Sequence, residues 1–89
     1  METLVVGAGA MGRWLARALR EDGPSVSLAF VDTDREAAED AAAALDGRSL
    51  DPATDETFDA VCIAVPMPAA ADTIREYAPR ADRAIYDVT

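Results

Sequence analysis

Within its first twelve residues the chain runs from a short apolar, β-branched stretch, Thr3-Leu4-Val5-Val6, straight into Gly7-Ala8-Gly9-Ala10-Met11-Gly12. Three glycines at this spacing constrain little in isolation. Between a strand and the start of an amphipathic helix, however, each has a mechanical role. Gly7 permits a tight turn, Gly9 removes the Cβ that would keep a diphosphate from the backbone, and Gly12 lets the helix pack closely on the strand. Unpaired N–H groups at the helix start, together with the helix dipole, then provide an anion site without a basic side chain. The same residues also allow a plain glycine-rich turn with no ligand.

The rest of the chain alternates in the same manner. Met11, Trp14, Leu15, Ala18 and Leu19 recur at i, i+3, i+4, i+7 and i+8, one apolar helical face, and Trp14 is expected in the core with Met11. Gly23 reads as the C-cap, and Pro24 prevents continuation. Residues 26–31 read as a second strand ending in Asp32-Thr33-Asp34. A second helix, capped by Asp32 or Asp34, runs to about Leu45 and stops at Asp46-Gly47. Arg48-Ser49-Leu50 reads as a very short strand, and residues 51–59 as a solvated acidic loop without a metal-binding pattern. Residues 60–65 are a continuous apolar strand of the kind buried on both faces. Pro66 and Pro68 end it, a helix follows over residues 69–77, and residues 84–88 form the last strand. The order β-α-β-α-β-β-α-β predicts an α/β fold: a Rossmann-like, doubly wound parallel sheet of about five strands with helices on both faces.

In such a sheet, ligands bind beyond the carboxyl ends of the strands. Asp32 stands there, 20 residues after Gly12. A carboxylate at that point accepts hydrogen bonds from both hydroxyls of an adenosine ribose and repels a 2′-phosphate, which favours NAD and makes NADP the lesser choice. Its alternative role is to cap the following helix. Arg35 is the nearest cation after it. Ala64-Val65-Pro66-Met67 ends a central strand, and its small apolar residues either line the cofactor pocket or merely stop the strand. The hydroxyl of Thr89, after the last strand, would face the nicotinamide end. The candidate cofactor-binding residues are therefore Gly7, Ala8, Gly9, Ala10, Met11, Gly12, Asp32, Thr33, Ala64, Val65, Pro66 and Thr89, with no catalytic residue and no metal ligand among them.

Composition narrows the classes of function. Eighty-nine residues, 51% apolar and 28% charged with mean hydropathy near zero, make one small globular domain. A net charge of −9 argues against nucleic acid and anionic membrane as partners. No apolar run is long enough to span a bilayer and the start has no secretory pattern, so a cytoplasmic location is expected. The single Cys62 lies in an apolar strand, and without any His to activate it the thiol reads as core. Tyr77 and Tyr86 have no evident partner and are expected to keep their hydroxyls at the surface. All eight basic residues are Arg and twenty residues are Ala, a composition like that of proteins from salt-loving archaea. Better folding in concentrated KCl is expected, with an acidic mesophile domain as the alternative.

Val5-Val6-Gly7-Ala8-Gly9-Ala10-Met11-Gly12-Arg13, Phe58-Asp59-Ala60-Val61-Cys62-Ile63-Ala64-Val65-Pro66 and Ile85-Tyr86-Asp87-Val88-Thr89 together resemble the amino-terminal half of prephenate dehydrogenase, most of all its haloarchaeal form. The Gly-x-Gly-x-Met-Gly opening is shared with the 6-phosphogluconate and 3-hydroxyisobutyrate dehydrogenases and with pyrroline-5-carboxylate reductase. The resemblance implies an oxidoreductase in which NAD(P) takes a hydride from prephenate and decarboxylation gives 4-hydroxyphenylpyruvate, on the way to tyrosine. It further implies a catalytic histidine and a helical dimerisation domain downstream, whereas this sequence contains no His. The expectation is thus one dinucleotide-binding domain over residues 1–89, truncated from a longer, homodimeric protein whose missing domain supplies the small-molecule substrate site. Alone it would bind NAD without catalysis and expose a sheet edge that promotes self-association. A non-catalytic NAD-sensing module is the alternative from another class.

Overall fold

The computed structural model of the chain describes residues 2–22, 26–52, 55–65 and 67–87. Five strands, β1 (Glu2–Val6), β2 (Ser27–Val31), β3 (Arg48–Ser49), β4 (Phe58–Ile63) and β5 (Ala81–Asp87), alternate with α1 (Ala10–Asp22), α2 (Arg35–Ala44) and α3 (Met67–Tyr77). A 3-10 turn over Ala78–Arg80 leads into β5. The sheet order is β3-β2-β1-β4-β5 with every neighbouring pair parallel. This is the doubly wound arrangement expected from the alternation of elements.

Each face of the sheet has its own core, because successive residues of a strand point to opposite sides. On one face Leu4, Val6, Ala29, Val31, Phe58, Val61 and Ile63 pack with Tyr77, and Ile74 lies against them, so α3 covers this side. On the other, Val5, Leu28 and Phe30 pack with Ala16 of α1 and with Ala38, Ala41 and Ala42 of α2. The alanine-rich face of α2 gives close approach with little apolar area per residue. Val6 is level with Val31 on one side and Ile63 on the other. The loops after β1, β2 and β4 therefore meet at one edge, where the chain order reverses about β1.

Several boundaries and one helix face differ from the sequence reading. β4 spans Phe58–Ile63 rather than residues 60–65, since the buried Phe58 already pairs with Ala81. At the other end the Ala64 N–H makes the last rung to the Val6 carbonyl, 2.8 Å, before the chain turns. Two further elements begin early, α3 at Met67 instead of residue 69 and β5 at Ala81 instead of residue 84. Pro68 thus falls within a first helical turn, where its missing N–H would have had no intrahelical acceptor. Contrary to expectation, Trp14 is 64% exposed and Met11 49% exposed. Close approach at Gly12 turns the Gly12, Ala16 and Leu19 row toward the sheet, which drives the larger side chains outward. The expected stop at Gly23 and Pro24 lies outside the described residues. Among the described residues no helix is long and apolar enough to cross a membrane.

Candidate functional site

The glycine loop is shaped by what its neighbours leave room for. Gly7 has φ +103°, a region side chains rarely adopt, and a Cβ there would run into the carbonyl of Ala64. Its N–H donates to the Val31 carbonyl, 2.8 Å, tying the turn to β2. At Gly12 a Cβ would strike the Gly7 carbonyl, so this glycine seats α1 against the turn. Gly9 is exposed, and a Cβ built on it would meet nothing within 4 Å. The space beside its backbone is open to a ligand.

Asp32 joins this loop to the end of β2. Its Oδ2 accepts from the Ala8 N–H at 2.7 Å and its Oδ1 from the Asp34 N–H at 2.8 Å. The cap of α2 is Asp34, whose Oδ1 accepts from Glu36 and Ala37 N–H groups at 3.1 and 3.4 Å. Asp32 is thereby released from the capping role that the sequence left open. Arg13 Nε donates to the Ala8 carbonyl, 3.2 Å, and holds the loop from the helix side. The first turn of α1 carries no acidic residue, so the positive end of its dipole is not neutralised there.

These groups border a cleft of about 400 Å³. Of the sequence-derived candidates, Gly7, Gly9, Asp32, Thr33, Ala64 and Val65 line it. Ala8 is buried behind it and contributes its N–H to Asp32, and Gly12 is buried against Gly7. Ala10 and Met11 stand exposed on the first turn of α1. Pro66 and Thr89 lie outside the described residues. Val6, Val31, Pro52, Thr73, Glu76 and Tyr77 complete the lining. The last three share one face of α3 at i, i+3 and i+4, a spacing visible in the sequence. Only the fold shows that this face meets the strand ends.

Tyr77 departs most from its sequence reading. It is 3% exposed, and its hydroxyl donates to the Pro52 carbonyl at 3.3 Å instead of facing solvent. The Arg80 guanidinium lies 5.4 Å from its ring centroid. Burial, with the neighbouring Glu76 adding and Arg80 opposing, raises the phenol above its ordinary range. Tyr86, by contrast, is 56% exposed as anticipated. Cys62 is a free, buried thiol whose burial raises its pKa, which fits core packing and disfavours a nucleophile.

The arrangement, an anion-accepting helix start, a carboxylate at the next strand end and an apolar slot beyond, suits a nucleotide. Residues 15–89 match the family profile of the prephenate dehydrogenase nucleotide-binding domain. The chain belongs to that family. The match begins after Gly12 and so does not include the glycine loop. No curated protein sequence matches the chain.

Solved structures agree in fold. An arogenate dehydrogenase from Synechocystis superposes with a TM-score of 0.83 at 24% identity, over 100% of this chain and 33% of that one, a likeness of fold alone. The myo-inositol dehydrogenase of Lactobacillus casei, solved with NAD(H) and myo-inositol, gives 0.82 at 26% identity, over 98% of this chain and 27% of that one. A UDP-N-acetylglucosamine 3-dehydrogenase from Acidithiobacillus ferrooxidans gives 0.74 at 26%, over 98% and 28%. The chain spans about a quarter to a third of these proteins.

Proposed function

We propose that this chain is the NAD-binding domain of a prephenate dehydrogenase-like oxidoreductase, one that oxidises prephenate with loss of carbon dioxide to 4-hydroxyphenylpyruvate for tyrosine synthesis. The observation that carries the cofactor reading is Asp32, held by the Ala8 and Asp34 N–H groups at the mouth of the cleft. Both contacts point its carboxylate along the edge where an adenosine ribose would lie, and its remaining lone pairs suit two hydroxyls. The residues fit the dinucleotide elsewhere too. The open backbone at Gly9 and the first N–H groups of α1 would receive the diphosphate, and Val31, Val65 and Tyr77 would flank the base. When bound, the nicotinamide ring supplies the hydride acceptor. This chain's part is to bind and orient. The sequence contains no His, and Cys62 is buried in the core away from the cleft lining, so a second domain is taken to supply the acid–base group and the substrate pocket. The family match supports prephenate as the substrate. On the same reading the full protein is a cytoplasmic homodimer, and the arginine-only, acidic composition is of halophilic type.

The test is calorimetric titration of the folded chain with NAD and NADP in molar KCl. NAD is expected to bind more tightly. Asp32→Asn removes one charge-assisted contact worth about 1.5–3 kcal/mol, so NAD affinity should fall about tenfold to a hundredfold. Binding of neither dinucleotide by a folded chain would refute the assignment. Prephenate turnover by the intact protein, and none by this domain, tests the remainder.

A further inference from the structure

We propose that Asp51 is a determinant of cofactor choice: through its ion pair with Arg35 it withholds from the adenosine end of the cleft the guanidinium that would otherwise receive a 2′-phosphate. This rests on the dinucleotide reading above and adds to it a residue from a different loop.

Arg35 opens α2 outside the cleft wall itself, three residues after Asp32 and two after Thr33, both of which line the cleft. A cation near this strand end is what accommodates a 2′-phosphate. Its Nη2 lies 3.0 Å from Asp51 Oδ2. Asp51 is held in place by its neighbour, because Pro52 forms part of the cleft wall and its carbonyl accepts from the buried Tyr77 hydroxyl at 3.3 Å. Tyr77, Pro52, Asp51 and Arg35 thus link α3 to the start of α2 along the side of the cleft that Pro52 walls. The backbone offers a phosphate little there, since Asp34 already takes the Glu36 and Ala37 N–H groups at the start of α2. Arg35 is thus the group whose orientation decides. Both members of the pair are largely exposed, 70% and 60%, and exposed pairs contribute little to stability. The pair's consequence lies in where it holds the guanidinium.

This divides discrimination against NADP into two parts. Asp32 repels the 2′-phosphate directly, and Asp51 removes the cation that would attract it. Replacing Asp32 alone leaves the second part in force.

NAD and NADP binding would be measured by calorimetry at one fixed KCl concentration for the wild type, Asp51→Asn, Asp51→Ser, Arg35→Ala and the Arg35→Ala/Asp51→Asn double variant, each confirmed folded by circular dichroism. Both Asp51 variants are expected to raise the NADP-to-NAD affinity ratio about fivefold, and the double variant is expected to show no gain over Arg35→Ala. An unchanged ratio in the Asp51 variants would overturn the proposal. An equal gain with Arg35 absent would overturn it too, because Asp51 would then act by simple repulsion. If the wild type binds NAD while the ratio stays fixed, this proposal alone fails. If the folded wild type binds neither dinucleotide, the cofactor reading fails and takes this one with it.

Discussion

Thr3 places a hydroxyl in the middle of the sheet, on its central strand. It is 1% exposed on β1, level with Leu28 on one side and Ala60 on the other, and its Oγ1 has no hydrogen-bond partner among the described residues. A buried hydroxyl without a partner costs about 1–3 kcal/mol. Valine has nearly the same shape and no such group. Thr3→Val is expected to stabilise the domain by about 1 kcal/mol, raising the urea midpoint at constant m-value, and a lower midpoint would contradict this. The glycine roles were legible at this scale because they concern the few ångströms around a local turn. Gly7 and Gly12 do what their spacing implies, although the group that leaves no room for a side chain at Gly7, the Ala64 carbonyl, follows β4, 57 residues further on. Tyr77 was not legible. Its burial depends on α3 crossing the strand ends, and nothing within a few residues of it reports that.

At the scale of elements, the end of α2 shows local sequence and a distant side chain cooperating. Leu45 N–H bonds to the Ala41 carbonyl and Gly47 N–H to the Ala42 carbonyl, the 6→1 closure of a Schellman stop. Asp46, rather than Gly47, takes the left-handed conformation, with φ 55°. Arg20, from α1, donates to the Leu45 and Asp46 carbonyls at 2.9 and 3.2 Å, occupying acceptors that the helix end leaves over. A non-glycine residue in this conformation is strained by about 1 kcal/mol, and Arg20 bonds to backbone that glycine also has. Asp46→Gly is therefore expected to raise the melting temperature by a few degrees, as read by circular dichroism, whereas Gly47→Ala should lower it. A Cβ at Gly47 would approach the Leu28 carbonyl to 2.8 Å and the Phe30 ring to 3.1 Å. The stop at Asp46-Gly47 was visible in the sequence, but which of the two adopts the unusual backbone depended on how closely β2 approaches. The buried face of α1 is likewise set by close approach. Apolar periodicity identified Met11 and Trp14 as the inner row, and the close seat of Gly12 on the Gly7 turn put Ala16 there instead.

Over the whole molecule, charge is the dominant unbalanced quantity. The net charge is −9, no described acidic side chain is buried, and the ion pairs among the described residues, Arg35–Asp51, Arg48–Glu56 and Arg75–Asp72, are all exposed. Repulsion spread over a surface is relieved when the Debye length falls to about 3 Å at 1 M salt. Between dilute buffer and 2 M KCl the melting temperature is expected to rise by about 5–10 °C. A flat or falling trend would assign the composition to something other than salt adaptation. What the sequence by itself determined is the set of properties that local chemistry controls. These are the alternation of strands and helices, the parallel doubly wound class that follows from continuous apolar strands, and the glycine turn with a carboxylate at the next strand end. The tertiary structure alone decided which side chains meet across that edge: that Asp34 caps and frees Asp32, that Tyr77 and Pro52 wall the cleft, and that Asp51 holds Arg35. Those contacts join residues 16 to 25 positions apart, or depend on a neighbour's competing hydrogen bond, and such distances close only when the sheet has formed.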